Sequence, residues 1–421
     1  MTKLCFLTPP SPWYKQETVQ SGKLYNTSSI DAQEISSPFD YDGKMILWFE
    51  HDGDPREFPL SAIYDGTILE FIPSGWIPLI NEKKIHVVIS TWQESWAPVR
   101  STNDHYEYLD LHKILTDSAD KLGIEKKQIT WLCGDLRAEK FVGNQSGINI
   151  KSRCVFFHSY AKMILAEYGD KENYKNDYTY EKNNFCLFLN RSIKTHRCYM
   201  LARVWHYMQN NKLRFHPKFS MPRTLHGHTI CDAHSELKYI VDNKNYDKKN
   251  LIDHAALAKS VLELYYYSPF EIDVKHEENN CAEIDSIKSI DDEYKSSMIS
   301  LITEAVIDGD KLFITDATIY SIMRCIPALI VGNYGTLQQL KDWGFKTFED
   351  ILDESYDSIT NEIERMETVL HSLVKFDQLC QTNNWNDITD KIKPVLDHNY
   401  YHFFELAKKH EKELQAWLYS L

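Results

Sequence analysis

The sequence predicts an α/β protein with two domains, and three observations support this prediction. The chain has 421 residues, more than one domain usually holds. Both halves contain short apolar runs, typical of buried parallel strands, that alternate with segments of helical spacing. With 43% hydrophobic and 26% charged residues, the composition is globular and excludes collagen-like, coiled-coil and wholly disordered chains.

The first domain is predicted from short apolar runs. Residues 85–90 (IHVVIS) and 128–134 (QITWLCG) are bounded runs of the kind that buried parallel strands use. Leu and Ile residues at helical spacing in 106–122 predict a helix between them. Two further apolar runs, at 45–49 and 68–72, are interpreted as strands joined by turns.

The second domain repeats the alternation of strands and helices. Its predicted strands are 183–190 (NNFCLFLN), 311–315 (KLFIT) and 328–333 (ALIVGN), and its predicted helices are 198–210, 316–325 and 336–345. A polar stretch separates the two domains, and Leu, Ile and Phe stripes predict a mostly helical tail. The predicted division is an N-terminal domain at 1–170, a linker at 171–184, a second domain at 185–357 and a helical segment at 358–421.

Cysteine and hydropathy patterns exclude several classes of protein. The nine cysteines are scattered and never spaced CxxC, which argues against a disulfide framework or a thiolate zinc site. The histidines of HGHTICDAH (226–234) do not share one ligand geometry, so no metal site is predicted. No apolar stretch is long enough for a membrane span or a signal peptide, so we expect a soluble, cytoplasmic protein without a membrane partner.

The charge is unevenly distributed. The chain carries a formal net charge of −14, yet residues 182–231 contain no Asp or Glu and nine Lys or Arg residues. Such a region predicts a localised anion site, because the acidic remainder repels a polyanion that approaches elsewhere. The alternative is that these residues are solvated helix faces whose stems cover the core.

The strongest local motif is FLNRSIKTHR, residues 188–197. An apolar strand places Asn190 and Arg191 at its carboxyl end, and Lys194, His196 and Arg197 follow in the loop and the first helical turn. Backbone N–H groups, a helix dipole and Arg side chains at such a position favour phosphate. A basic surface loop without a ligand is the alternative.

Residues 183–223 and 301–366 resemble the donor-binding half of the fucosyltransferase-like GT-B glycosyltransferases, in their phage and bacterial form. The shared features are the Asn-Arg…His-Arg loop, a strand followed by Gly, and the runs LQQLKDWGFKTF and DESYD. The resemblance implies two Rossmann-like domains facing across a cleft, the second holding a nucleotide sugar. It also implies a direct transfer to an acceptor hydroxyl with no obligatory metal or other cofactor.

The resemblance implies roles for residues of the second domain. Glu304, Thr315 and Asp316 should face the nucleotide sugar, and Asn190, Arg191, Lys194, His196 and Arg197 its phosphates. The chain departs from the family's Thr-Glu-Lys helix start, because Asp316 replaces the Glu with a shorter carboxylate and Ala317 replaces the Lys that pairs with phosphate. The acidic run at 353–357 is interpreted instead as packing and capping of the C-terminal helix.

The acceptor hydroxyl needs a general base, which is expected from the first domain. Glu94 and Asp135 follow predicted strands and are the candidates, with His105 a third. A glycan and a hydroxymethylated base of phage DNA both fit as acceptor, although the net charge offers no broad surface for a duplex. The alternatives are a non-catalytic binding protein on a degenerate glycosyltransferase fold and a nucleic-acid-binding protein. The sequence leaves the oligomeric state open.

Overall fold

A computed structural model of the chain is α/β, with two parallel sheets and a helical C-terminal region. The chain divides into two compact units. The first comprises Met1–Lys162, Gly309–Phe313 and Phe404–Leu421, and the second comprises Met163–Asp308 and Ile314–Phe403. The residues that the structure describes are 4–7, 32–50, 62, 67–91, 111–142, 147–154, 156–175, 182–190, 193–214, 217–220, 224–225, 228–229, 231–232, 235, 259–264, 290–307 and 309–421.

The sheet of the first unit has six parallel strands in the order β2-β1-β3-β4-β5-β6. They are β1 (Leu4–Leu7), β2 (Ala32–Ile35), β3 (Met45–Glu50), β4 (Ile85–Thr91), β5 (Ile129–Cys133) and β6 (Asn149–Ser152). The helices that accompany them are α1 (Ile77–Asn81), α2 (Leu111–Leu122), α3 (Ala138–Val142) and α4 (Phe156–Tyr168), whose last residues belong to the second unit.

Both faces of the central strands β1, β3, β4 and β5 are buried, which explains why these strands are mainly apolar without alternation. Val87 and Ile89 of β4 point into one core, and Val88 between them packs on the opposite face. That second face is covered by Leu414 and Leu418, near the end of the long C-terminal helix α10 (Trp385–Ser420).

The sheet of the second unit has four parallel strands in the order β12-β11-β7-β8. Its strands are β7 (Asn184–Leu189), β8 (Lys218–Ser220), β11 (Ser297–Thr303) and β12 (Ala328–Val331), and a separate two-stranded hairpin is formed by β9 (Thr224–Leu225) and β10 (His228–Thr229). The helices are α5 (Thr195–Gln209), α6 (Asp291–Ser296), α7 (Asp316–Met323), α8 (Thr336–Asp342), α9 (Glu362–Thr382) and the first part of α10.

Two predicted strands are wrong. Residues 68–72 lie mainly in a 3₁₀ helix, Thr67–Phe71, and 311–315 form no strand. In both segments the apolar side chains are buried as expected, for example Leu69 and Phe313. A short apolar run predicts that its side chains are buried. Whether it forms a strand depends on whether its backbone finds hydrogen-bond partners in a neighbouring strand.

The other predicted strands at 45–49, 85–90, 128–134, 183–190 and 328–333 are confirmed. The predicted helices at 316–325 and 336–345 are confirmed, and the one at 198–210 begins three residues earlier, at Thr195. In the described part of the chain, no helix is long and apolar enough to cross a membrane.

Candidate functional site

In the second sheet, the strands that follow β7 in the chain are added on both of its sides, so the strand order reverses between β7 and β11. From β7 the chain continues to β8 on one side, whereas β11 and then β12 are added on the other side. Parallel α/β sheets bind ligands outside the carboxyl ends of the strands at such a switch point. Here those ends are Asn190, which follows β7, and Thr303 and Glu304, which end and follow β11.

Asn190 is 1% exposed and is held on two sides. Its backbone N–H donates to Ser220, at 3.2 Å from the carbonyl oxygen and 3.3 Å from Oγ. Its Oδ1 accepts a 2.7 Å hydrogen bond from the Thr303 hydroxyl. Its buried Nδ2 has no hydrogen-bond partner among the described residues. Because an unsatisfied buried donor is costly, this amide points to a ligand or a water at the switch point.

Glu304 is fully buried, and its carboxylate binds the start of the next helix in the chain, α7. Its Oε2 accepts from the backbone N–H of Thr315 at 2.9 Å, and its Oε1 accepts from the Thr318 hydroxyl at 2.5 Å. Burial raises the pKa of Glu304, and these hydrogen bonds oppose the shift. The carboxylate therefore caps the start of α7.

The space around Glu304 is also tight. A Cβ atom at Gly332 would lie 3.3 Å from Glu304 Cγ and 2.6 Å from Thr336 Oγ1. Glycine is therefore required after β12 so that Glu304 and the start of α8 can approach the strand.

Three described basic residues of the predicted phosphate loop bind three consecutive carbonyl groups. Arg197 Nη2 donates to Thr303 O at 3.1 Å, His196 Nε2 to Glu304 O at 2.8 Å, and Lys194 Nζ to Ala305 O at 3.0 Å. These bonds fix the chain at the end of β11. The side chains thus hold the switch point together.

His196 is neutral in this arrangement. Burial, together with the neighbouring Arg197 and Lys194 cations, lowers its pKa to about 3. Because its Nε2 faces a carbonyl oxygen, the proton of the neutral ring is on Nε2. His196 is therefore a neutral structural donor and adds no positive charge to the site.

The helix starts at this edge differ in charge. Asp357 caps α8 by accepting from the N–H groups of Leu337 and Gln338, and Glu304 caps α7. At α5 the N-cap residue is Lys194, whose side chain makes no capping hydrogen bond, and the first turn contains no acidic residue. The start of α5 is therefore the most favourable of the three for an anion.

The structure brings together most residues predicted for donor binding. Asn190, Lys194, His196, Arg197, Glu304, Thr315 and Asp316 all lie at the carboxyl edge of the second sheet. Thr315 is the N-cap of α7 and accepts from Ala317 N, and Asp316 is the first helical residue and is half-buried. Arg191, Glu94 and His105 lie outside the described residues.

Asp135 lies in the first unit, after β5, and is fully buried. Its Oδ1 accepts from the backbone N–H groups of Leu312 (2.9 Å) and Arg137 (3.0 Å). Its buried Oδ2 has no hydrogen-bond partner within the described ranges. Burial raises the pKa of Asp135. The residue thus has one oxygen fixed and one oxygen able to accept a proton.

The basic segment 182–231 is partly neutralised by acids from outside it. Arg203 forms a 2.5 Å ion pair with Glu367, and Lys218 forms one of 2.5 Å with Glu293. Lys182 Nζ donates to the Lys295 carbonyl oxygen. Together with Lys194 and Arg197, five of the nine basic residues of the segment therefore make internal contacts.

The acidic run at 353–357 binds the C-terminal helical segment, as predicted, but the helix that it caps is α8. Asp357 caps α8, and Asp353 accepts from Lys375 of α9 and from Ser355. These hydrogen bonds hold the pKa of Asp353 at about 2. The described residues contain no group of three or more potential metal ligands, and His226 and His234 lie outside them.

Three residues important at this edge were not predicted. Thr303 and Thr318 bind Asn190 and Glu304, and Arg365 of α9, 1% exposed, donates to the carbonyl oxygens of Gly332, Ile359 and Ile307. Thr303 could have been noticed as a polar residue ending the apolar strand SMISLIT. Nothing local marks Arg365, because its partners Gly332 and Ile307 are distant in sequence.

Comparison of the chain with protein-family models and with curated proteins gives no match. Its function is therefore inferred from the geometry of the site.

Proposed function

We propose that the chain is a glycosyltransferase of the GT-B type that uses a nucleotide-sugar donor, as its resemblance to the fucosyltransferase-like family suggests. The observation that carries the proposal is the buried Asn190 Nδ2 without a partner among the described residues, at the switch point of a parallel sheet. A diphosphate supplies the acceptor oxygens that such a donor needs.

In this proposal the phosphates bind at the start of α5, close to Asn190. Lys194 and Arg197 contribute positive charge there, while their donors hold the carbonyls after β11. The start of α7 is a poor phosphate site because Glu304 already caps it. This agrees with Ala317, which leaves the start of α7 without the phosphate-pairing Lys of the family. The half-buried Asp316 is left to accept hydrogen bonds from donor hydroxyls.

The proposed reaction is attack of an acceptor hydroxyl on the anomeric carbon of the donor. The new C–O bond forms as the bond from the anomeric carbon to phosphate breaks, and the nucleoside diphosphate leaves with the electron pair. Asp135 is proposed to take the hydroxyl proton on its Oδ2, and Glu94 is the second candidate. The acceptor is a glycan or a hydroxymethylated base of DNA, and the reaction takes place in the cytoplasm without an obligatory metal.

A second candidate is a binding protein without catalysis on a degenerate glycosyltransferase fold. It is favoured by the engagement of Lys194, His196 and Arg197 with backbone carbonyls, which leaves little side-chain cation for a leaving diphosphate. Such a protein would bind nucleotides and release no product.

The experiment is a thermal-shift screen of the full chain against nucleoside diphosphates and their sugar conjugates. A ligand at a hundred times its dissociation constant adds about 2.7 kcal/mol of stability. Any sugar nucleotide that shifts the melting temperature is then incubated with glycans and with plain and hydroxymethylated oligonucleotides, and products are weighed by mass spectrometry. Transfer supports the enzyme, binding without turnover supports the second candidate, and no shift with any nucleotide contradicts both.

A further inference from the structure

Thr303 and Asn190 meet across the switch point through a single hydrogen bond. Thr303 is 3% exposed and ends β11, and Asn190 is 1% exposed and follows the neighbouring strand β7. We infer that Thr303 is a positioning residue that fixes which side of the Asn190 amide faces the ligand, so that the site selects ligand groups that accept hydrogen bonds. This inference rests on the proposed function for the identity of the ligand.

The orientation of the amide follows from hydrogen-bond accounting. With the Thr303 hydroxyl donating to Oδ1, only Nδ2 lacks a partner among the described residues. If the amide were reversed, Nδ2 would donate to Thr303 Oγ1, and both the hydroxyl proton and Oδ1 would lack a partner in this part of the structure. Each unsatisfied buried group destabilises the protein, so the observed orientation, which leaves fewer of them, is preferred.

The backbones of both residues are fixed, so neither side chain can move away easily. Thr303 pairs with Val331 of β12, and its carbonyl oxygen accepts from Arg197. The N–H group of Asn190 is held by Ser220. Pairing with β12 and the hydrogen bond from α5 therefore hold the Thr303 hydroxyl in place next to Asn190 Oδ1.

The consequence is a site with a defined polarity. Nδ2 offers two N–H donors and no acceptor, which suits a phosphate or sugar oxygen and disfavours an ammonium or amide group. Without the hydroxyl, the amide can turn and present Oδ1, which repels an oxyanion. Thr303 thus acts on the ligand through Asn190.

The test compares Thr303→Val, which keeps the shape and removes the hydroxyl, with Thr303→Ser, which restores it. The affinities of UDP, GDP, ADP and CDP are measured by calorimetry on the full chain. We expect Thr303→Val to weaken binding about tenfold or more, and Thr303→Ser to stay within about threefold of the wild type. Thr303→Ala replaces the Val variant if melting shows that the latter is unfolded.

A second readout needs no ligand. The side-chain amide signals of Asn190 in the ¹⁵N–¹H NMR spectrum, assigned by their loss in Asn190→Asp, should move in Thr303→Val and return in Thr303→Ser. If nucleotides bind the wild type and Thr303→Val binds them equally well, the inference is overturned and the proposed function stands. If no nucleotide binds the wild type, the proposed function fails and the amide signals decide: unchanged signals in Thr303→Val overturn the inference, and a shift restored by Ser supports it.

Discussion

At the scale of single residues, Glu304 shows how position and role separate. The resemblance implies that it faces the donor, and the structure places it at the carboxyl edge of the second sheet. Both of its oxygens, however, bind α7, through Thr315 N and the Thr318 hydroxyl. The side chain is fully buried. Its first effect is therefore on the stability of the helix start.

We predict that Glu304→Gln destabilises the protein, since one of two accepting oxygens becomes a donor, at a loss of roughly 1–3 kcal/mol. Burial raises the folded-state pKa of Glu304 above its unfolded value. The contribution of the carboxyl group is therefore complete below the unfolded pKa and decreases as pH rises through the folded pKa. The difference between the wild type and Glu304→Gln should thus shrink with rising pH.

Urea unfolding of both proteins between pH 4.5 and 8 measures this difference. Glu364→Gln, at an exposed position of α9, is the control for loss of a carboxylate. A difference that is constant or grows with pH would contradict the raised pKa of Glu304.

At the scale of elements, Arg365 joins α9 to the ends of the strands. Its guanidinium donates to Gly332 O, which follows β12, and to Ile307 O, in the segment after β11. It also bonds to Ile359 O before its own helix. One buried side chain thus donates hydrogen bonds to carbonyl groups of three segments. Among the described residues, none of these carbonyl groups has a backbone partner within a strand or helix.

We predict that Arg365→Met lowers the free energy of unfolding by roughly 3 kcal/mol or more, because several buried carbonyls lose their donor. Met keeps most of the apolar stem. Arg214→Met changes an exposed arginine of the same unit and should cost little. Denaturant midpoints of the two variants compare them directly, and equal midpoints would exclude the bridging role.

How far the sequence predicts these elements depends on where their partners lie. β4, β5, β7 and β12 are continuous apolar runs between polar boundaries, and their burial on both faces makes them readable. Residues 311–315 are equally apolar, yet they form no strand. Lys194, His196 and Arg197, predicted to bind phosphate, lie at the sheet edge, but their side chains bind the carbonyls of residues 303–305. That partnership is tertiary, so no local pattern could show it.

At the scale of the whole molecule, three histidines in the described part of the chain have lowered pKa values: His86 and His196 are buried, and His410 is half-buried. Burial lowers the pKa of His86 to about 4, that of His196 to about 3 and that of His410 to about 4. His86 bonds to the Thr130 hydroxyl, and His410 packs on Phe157. Below the ordinary histidine pKa, the unfolded chain therefore binds protons at these histidines that the folded protein does not bind.

We predict that stability is complete above about pH 6.5 and falls as pH decreases toward about 4, by roughly 1.4 kcal/mol per pH unit for each histidine. Buried carboxyls with raised pKa, such as Glu304, oppose this loss. His196→Gln, which can still donate to Glu304 O, should flatten the dependence, and His371→Gln at an exposed position should not. Denaturant unfolding at pH 6.5, 5.5 and 4.5 measures the slopes, and equal slopes in both variants would contradict a neutral His196.

The most direct test of the account is nucleotide binding to Asn190→Asp. The change keeps Oδ1 for the Thr303 hydroxyl, replaces the two Nδ2 donors by an oxygen, and adds a negative charge where phosphate is proposed to bind. Asn384→Asp adds the same charge at an exposed position that caps its helix equally well. We predict by calorimetry that the wild type and Asn384→Asp bind the same nucleoside diphosphate alike, and that Asn190→Asp binds it about a hundredfold more weakly. Equal binding by a folded Asn190→Asp, or no nucleotide binding by the wild type, would contradict the account.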